Sequence, residues 1–138
     1  MTVLIFMVMM AQTSSPPVAT VGEGSSSGID EPNTVIVRSA AEWDALWNSH
    51  AGPQPAPAVD FSLNVVAAAF LGIRPTAGYR VEIVGTRREN DALVVEYVER
   101  RPAADAIVLQ VLTSPFHIVT LPRFNGPIRF RRSPVGAP

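Results

Sequence analysis

His50, His117, Ser114 and the strand glutamates Glu82, Glu96 and Glu99 are the candidates to carry chemistry in this 138-residue chain, and their spacing argues against it. His50 ends a stretch of helical periodicity and His117 lies in a β-like run. Neither has companions at metal-ligand spacing, so no metal site is expected. Ser114 and His117 stand three apart across Pro115, and a strand turns residues i and i+3 to opposite faces, so they form no local nucleophile–base pair. Neither a Gly-x-Ser-x-Gly elbow nor a phosphate-cradling glycine loop occurs. Glu82, Glu96 and Glu99 have the types of an acid–base pair but read as a solvated strand face with Arg80, Arg100 and Arg101 across from them. The chain holds no cysteine, which removes disulfides, thiolate nucleophiles, cysteine zinc sites and a lipid-modified N-terminal cysteine. The expectation is a protein that is not an enzyme and takes no cofactor.

What remains is recognition. Leu71-Gly72-Ile73-Arg74-Pro75-Thr76-Ala77-Gly78-Tyr79-Arg80-Val81 sets a rigid polar turn between two apolar runs. Pro75 fixes its own φ, Gly78 permits a positive φ, and Tyr79 offers a large ring with a polar tip. A loop ordered before binding loses little entropy on binding. The expected contact surface is Arg74, Pro75, Thr76, Gly78 and Tyr79, with the corner Ser114, Pro115 and His117 beside it. Arg74 would donate to a partner carboxylate or carbonyl and Tyr79 would bury area. Tyr79 shares its strand face with Val81 and Ile83, so the alternative places its ring in the core, and a tight turn that only connects two strands has the same residue types.

The elements that must hold this loop are readable by period. Thr34–Arg38 is β-branched and short, a strand. Ser39-Ala40-Ala41-Glu42 is a capping box, so a helix starts at residue 40. Trp43, Leu46, Trp47 and His50 recur at helical spacing and predict a buried stripe. Residues 51–58 carry too many prolines for helix or ladder. Leu63–Leu71 is apolar on both faces, a central strand covered on both sides. Beyond Gly78 the period becomes two. Glu89-Asn90-Asp91 supplies a hairpin turn, and Leu93–Val98, Ile107–Leu112, Phe116–Leu121 and Ile128–Arg131 read as further strands. The fold class expected is α+β: a bent, mainly antiparallel sheet of about 6–8 strands with one N-terminal helix packed on it.

At 47% hydrophobic residues the chain can bury one domain core. All 11 basic residues are arginine; residues 1–72 hold one against six acids, a net of −5, and residues 73–138 hold ten against six, a net of +4. No basic stripe with interleaved aromatics results, so no nucleic-acid role is expected. Residues 1–11 read as the apolar core of a secretory signal, although no Lys or Arg precedes it, and the run is too short for a spanning helix. Residues 12–28 read as a Ser/Pro/Gly-rich linker or edge strand, 29–132 as the domain, and 133–138 as a tail. The localisation this implies is secreted, periplasmic or cell-envelope, with no integral membrane span in the mature chain.

Two stretches carry a resemblance. Phe70–Ile83, followed by Gln110-Val111-Leu112-Thr113-Ser114-Pro115-Phe116-His117-Ile118-Val119-Thr120-Leu121-Pro122, resembles the PrcB C-terminal domain family, and Ser26–Ile29 and Arg38–Trp47 are similar to its extended members. This chain has Ala77-Gly78-Tyr79 where members usually show Gly-Gly-Tyr, and Ala103–Ala106 where a Pro-Gly turn is common. The resemblance implies a non-catalytic exported protein that stabilises or assists an extracytoplasmic protease complex. Pro75–Tyr79 also looks like part of the Asn-Pro-Thr-Thr-Gly-Tyr loop of chagasin-type cysteine protease inhibitors, with Arg74 and Ala77 departing from it and the Gly-x-Gly-Gly loop missing. Direct inhibition, or a structural envelope domain without a defined ligand, are the alternatives.

Overall fold

The computed structural model describes residues 18–134. The apolar leader 1–11 lies outside the described residues, as do residues 12–17 of the linker and 135–138 of the tail. Seven strands and one helix follow in the order β1 (Ala19–Gly24), β2 (Asn33–Val37), α1 (Ala40–Ala51), β3 (Asn64–Phe70), β4 (Arg80–Glu89), β5 (Ala92–Arg100), β6 (Phe116–Pro122) and β7 (Ile128–Arg132). The α+β class with mainly antiparallel pairing holds, but the strands divide between two sheets rather than one bent sheet. Sheet 1 has the order β1-β6-β3-β2 and sheet 2 the order β4-β5-β7. Among the described strands only β5 and β7 pair in parallel.

β3 is covered on both faces, as its unbroken apolar run requires. Val65, Ala67, Ala69 and Leu71 pack against Val81, Ile83, Leu93 and Val95 of sheet 2, joined by Val119 and Leu121 of β6. Val66, Ala68 and Phe70 point the other way, toward Trp43 of α1, with Val37 and Ile118. Three layers result: helix, sheet 1, sheet 2. The small side chains of Ala67, Ala68 and Ala69 at the centre let both outer layers approach closely.

The helix starts where its cap predicts. Ser39 is extended (φ −141°, ψ 156°), its Oγ accepts the Glu42 N–H at 3.3 Å, and the Trp43 N–H reaches the Ser39 carbonyl at 3.0 Å. Trp43 and His50 are buried and Leu46 and Trp47 half-buried, so the aromatic stripe belongs to the core. The Trp43 indole N–H donates to the Pro57 carbonyl at 2.8 Å, tying the proline-rich connector to the helix.

The edge strand read within residues 12–28 is present: β1 pairs antiparallel with β6 from Ala19 opposite Thr120 to Gly24 opposite Phe116. Two readings of the sequence are corrected. Ile107–Leu112 is not a strand: β4 and β7 occupy both edges of β5, and β1 and β3 occupy both edges of β6, so the strands that flank this segment offer it no ladder. Glu99 is buried at 4% exposure instead of solvated. It follows Leu93, Val95 and Tyr97 on the inward side of β5, and its odd spacing from Glu96 puts the two on opposite faces.

Between β3 and β4 the chain leaves sheet 1 for sheet 2 at Gly72, whose φ is 73°. A Cβ there would stand 2.7 Å from Pro32 Cδ and 2.9 Å from the Asp30 carbonyl oxygen. Only glycine meets both demands.

Candidate functional site

The Arg74–Tyr79 loop is stitched by backbone to the segment that precedes β6. Arg74 and Thr113 exchange both N–H···O bonds (2.8 and 3.0 Å), and the Ala77 N–H donates to the Leu109 carbonyl at 3.0 Å. The Thr113 hydroxyl donates to the Thr76 carbonyl at 2.9 Å. The positive φ expected at Gly78 is present, at 96°, and Ala77 has none. A Cβ on Gly78 would lie 2.9 Å from Pro102 Cβ and 3.2 Å from Val108 Cγ1, so the tip also rests on the 101–112 segment. Pro75 and Gly78 are exposed; Thr76 and Tyr79 are half-buried. Tyr79 is therefore neither a core residue nor a free contact, and the Arg74 guanidinium carbon lies 6.0 Å from its ring centroid.

Arg74 does not wait for a partner's carboxylate. Its Nε donates to Glu99 Oε1 at 2.9 Å, and its Nη1 reaches the carbonyls of Leu71 (2.9 Å) and Ile73 (3.2 Å). Glu99 Oε2 takes the Arg132 Nη2, with the Arg101 Nη2 at 3.8 Å. Burial alone would raise the Glu99 carboxyl. The hydrogen bond and charge of Arg74, with the charges of Arg132 and Arg101, outweigh it and hold the group below the usual carboxylate range. Glu82 pairs with Arg100 at 2.9 Å as the sequence suggests, on the outer face of sheet 2, whereas Glu96 pairs with Arg87 at 3.5 Å.

The second cluster of expected contacts lies inside the molecule. Ser114 is buried, its Oγ donating to the Ile29 carbonyl at 2.7 Å, while its backbone bonds Ser25 and Ser27 at 2.8 and 3.0 Å. Pro115 is fully buried. His117 is buried on the inner face of β6, with Nδ1 accepting the Ile83 N–H at 2.8 Å and Nε2 2.9 Å from Thr20 Oγ1. These three fix the corner instead of offering it to a partner, because every polar group they own is already used within the fold. Desolvation pushes the His117 imidazole below its ordinary value, and His50, packed 4.2 Å from the Phe116 ring centroid with its Nδ1 2.8 Å from Ser27 Oγ, is lowered by desolvation too.

What the sequence hid is the surface beside the loop. Ile107 is fully exposed, Leu109 and Leu112 are each 72% exposed and Val111 50%, next to Ile73 at 45%. Residues 106–112 (Ala-Ile-Val-Leu-Gln-Val-Leu) carry no charge, glycine or proline, the composition of an interior strand. Only the missing ladder turns them outward. Among the described residues no group of three His, Cys, Asp or Glu is placed to hold a metal ion, and no helix is long and apolar enough to cross a membrane.

Residues 65–122 match the family model described as PrcB C-terminal. The span runs from the start of β3 to the end of β6 and contains the loop, the β4–β5 hairpin and the exposed segment. No curated protein and no solved structure matches the chain.

Proposed function

We propose that the PrcB C-terminal region of this chain is a non-catalytic protein-binding module of an exported protein, serving as an accessory or stabilising subunit of an extracytoplasmic protease complex. The observation that carries the reading is the uncharged, solvent-facing run Ile107–Leu112 welded to the Arg74–Tyr79 loop. Large aliphatic side chains gain about 1.5–3 kcal/mol each on full burial, and a monomer that leaves four of them side by side in water forgoes that gain. The contact surface accordingly moves from the list read off the sequence to Pro75, Thr76, Gly78 and Tyr79 with Ile73, Leu109, Val111 and Leu112. Arg74 acts behind it, as the strut that holds the loop. Export rests on the apolar leader, and the protease association rests on the family match.

The experiment is capture from the secreted and envelope fraction of the source organism with the full chain, beside a Leu109→Glu, Val111→Glu double variant. Both residues face solvent, so the variant keeps the native melting temperature. A protease-containing assembly retained by the native chain and lost by the variant is the expected result. Equal recovery by both, or none by either, removes the apolar segment as a partner surface and leaves a structural domain. Recovery of a cysteine protease whose hydrolysis the chain blocks would favour the chagasin-like alternative.

A further inference from the structure

On the opposite side of Arg74 from the loop tip, a cavity of about 340 Å³ opens between the start of β2 and the end of β7, lined by Asn33, Thr34, Leu71, Arg74, Tyr97 and Arg132. Two guanidiniums of the lining, Arg74 and Arg132, share the single carboxylate of Glu99. The lining therefore carries a surplus of positive charge, and Arg132 is half-exposed. Asp30 and Glu31, on the segment leading into β2, form no ion pair with either arginine. The Tyr97 phenol, held with its ring edge-on to Phe130 at 6.1 Å, and the side chains of Asn33 and Thr34 make no hydrogen bond to another described residue. Leu71 and Pro32 contribute the apolar part of the floor. Convergent donors over an apolar floor, in a volume near the small end of ligand sites, are the features of an oriented small-ligand pocket.

We infer that this cavity binds a carboxylate carried on a small apolar body. The guanidinium surplus supplies the charge, and its planar N–H pairs match a carboxylate's two oxygens. The Tyr97 hydroxyl supplies a further donor, and the floor takes the aliphatic part. Phosphate is disfavoured, since the floor leaves its remaining oxygens without donors. The carboxylate can come from a free acid or from the C-terminus of a polypeptide, and the site's chemistry is the same for both. The inference stands apart from the apolar segment 107–112, which lines no part of the cavity.

The test is a titration of the full chain followed by backbone amide NMR, with N-acetyl-L-leucine, its neutral amide and inorganic phosphate as probes. Saturable shifts at Asn33, Thr34 and Leu71 with the acid, and affinity at least about tenfold weaker with the amide, are expected. Arg132→Gln should lose a similar factor; Tyr97→Phe, which leaves the ion-pair cluster intact, should lose about threefold and keeps the question decidable if the arginine variant misfolds. An amide or phosphate that binds as tightly as the acid overturns the inference, as does the absence of saturable shifts at those three amides. A pentapeptide ending in leucine, compared in free-acid and amidated forms, separates the sources. Tighter binding of the free-ended peptide than of N-acetyl-L-leucine identifies a polypeptide C-terminus, and equal or weaker binding a small free acid; both uphold the site.

Discussion

The imidazole of His117 in sheet 1 accepts the backbone N–H of Ile83 in sheet 2 at 2.8 Å, closing the edge of β4 against β6. A backbone N–H can only donate, so Nδ1 is the bare nitrogen and Nε2 carries the proton toward Thr20 Oγ1. Protonating Nδ1 would remove the acceptor and leave two donors facing each other. Burial is the main force lowering this imidazole, with Glu23 and Glu82 raising it and Arg80 lowering it. A folded-state value below the unfolded 6.5 means the unfolded chain binds more protons as the pH falls, so stability is fully present above about pH 6.5 and is lost on acidification through the folded value. His50 is lowered by burial and acts in the same direction. Thermal unfolding followed from pH 8 to pH 5 should show a falling midpoint below pH 6.5. In His117→Gln the dependence should shrink to the His50 share, because the amide oxygen accepts from Ile83 without titrating. An unchanged pH profile in that variant would remove His117 as the sensor.

Glu99 holds the corner where three elements meet: the loop through Arg74, β7 through Arg132, and the β5 end through Arg101. Removing the carboxylate strands Arg74 in its half-buried place, while Arg132 and Arg101 remain solvated, so the cost stays below the about 3–5 kcal/mol of a fully buried pair. Glu99→Ala should therefore lower the urea midpoint, with an unchanged slope. Arg74→Ala should cost less, about 1–3 kcal/mol, since Arg132 and Arg101 still face the carboxylate while the Leu71 and Ile73 carbonyls lose a donor. A Glu99→Ala midpoint within experimental error of the native chain would mean the cluster behaves as a surface pair. The carboxyl is held below its ordinary 4.5, so its contribution is present above about pH 4.5 and is lost as the pH falls through the depressed value.

The helix, its cap, the hairpin at Asn90 and the double-faced β3 were legible because each is written in local residue types. Ser39, the Trp43–His50 spacing and the φ of 55° at Asn90 need no knowledge of the rest of the chain. The division into two sheets was not legible, because β7 takes the edge of β5 by a parallel pairing that skips β6, and nothing local announces it. That pairing, with β4 on the other edge of β5 and β1 and β3 on the edges of β6, also leaves Ile107–Leu112 without a ladder. The inward turn of Glu99 is written in its parity, since residues 93, 95, 97 and 99 share a face, while its charge points to solvent; the arginine partners that reconcile the two come from distant segments. Ser114 and His117 are polar types common at surfaces, but both are buried with satisfied partners, which only the tertiary fold supplies.

Gly78 sits where the loop tip meets Pro102 and Val108 with a φ of 96°. Gly78→Ala must accept both an unfavourable backbone conformation and a 2.9 Å contact with Pro102 Cβ. Destabilisation of about 1–3 kcal/mol is expected, read from chemical unfolding. Amides of Thr76–Tyr79 should shift in NMR spectra while those of α1 do not. A variant with native stability would show that the tip can re-form without this backbone state.

The 107–112 segment gives a direct measurement of whether it is an unfilled strand position. Its N–H groups have no backbone acceptor among the described residues, whereas β6, a few residues on, is laddered on both sides. Amide hydrogen exchange should therefore be fast at 107–112 and slow from Ile118 to Leu121, although the two stretches have similar composition. If a partner or a second chain adds a strand there, protection will appear selectively at alternate amides, those pointing away from the 74–77 loop, because the Leu109 carbonyl already engages Ala77 on the other edge. Contact through side chains alone would leave exchange fast while still quenching solvent access to Leu109 and Leu112. Slow exchange across 107–112 in the isolated monomer would mean that the segment is already paired, and the exposed-strand account of this surface would fail.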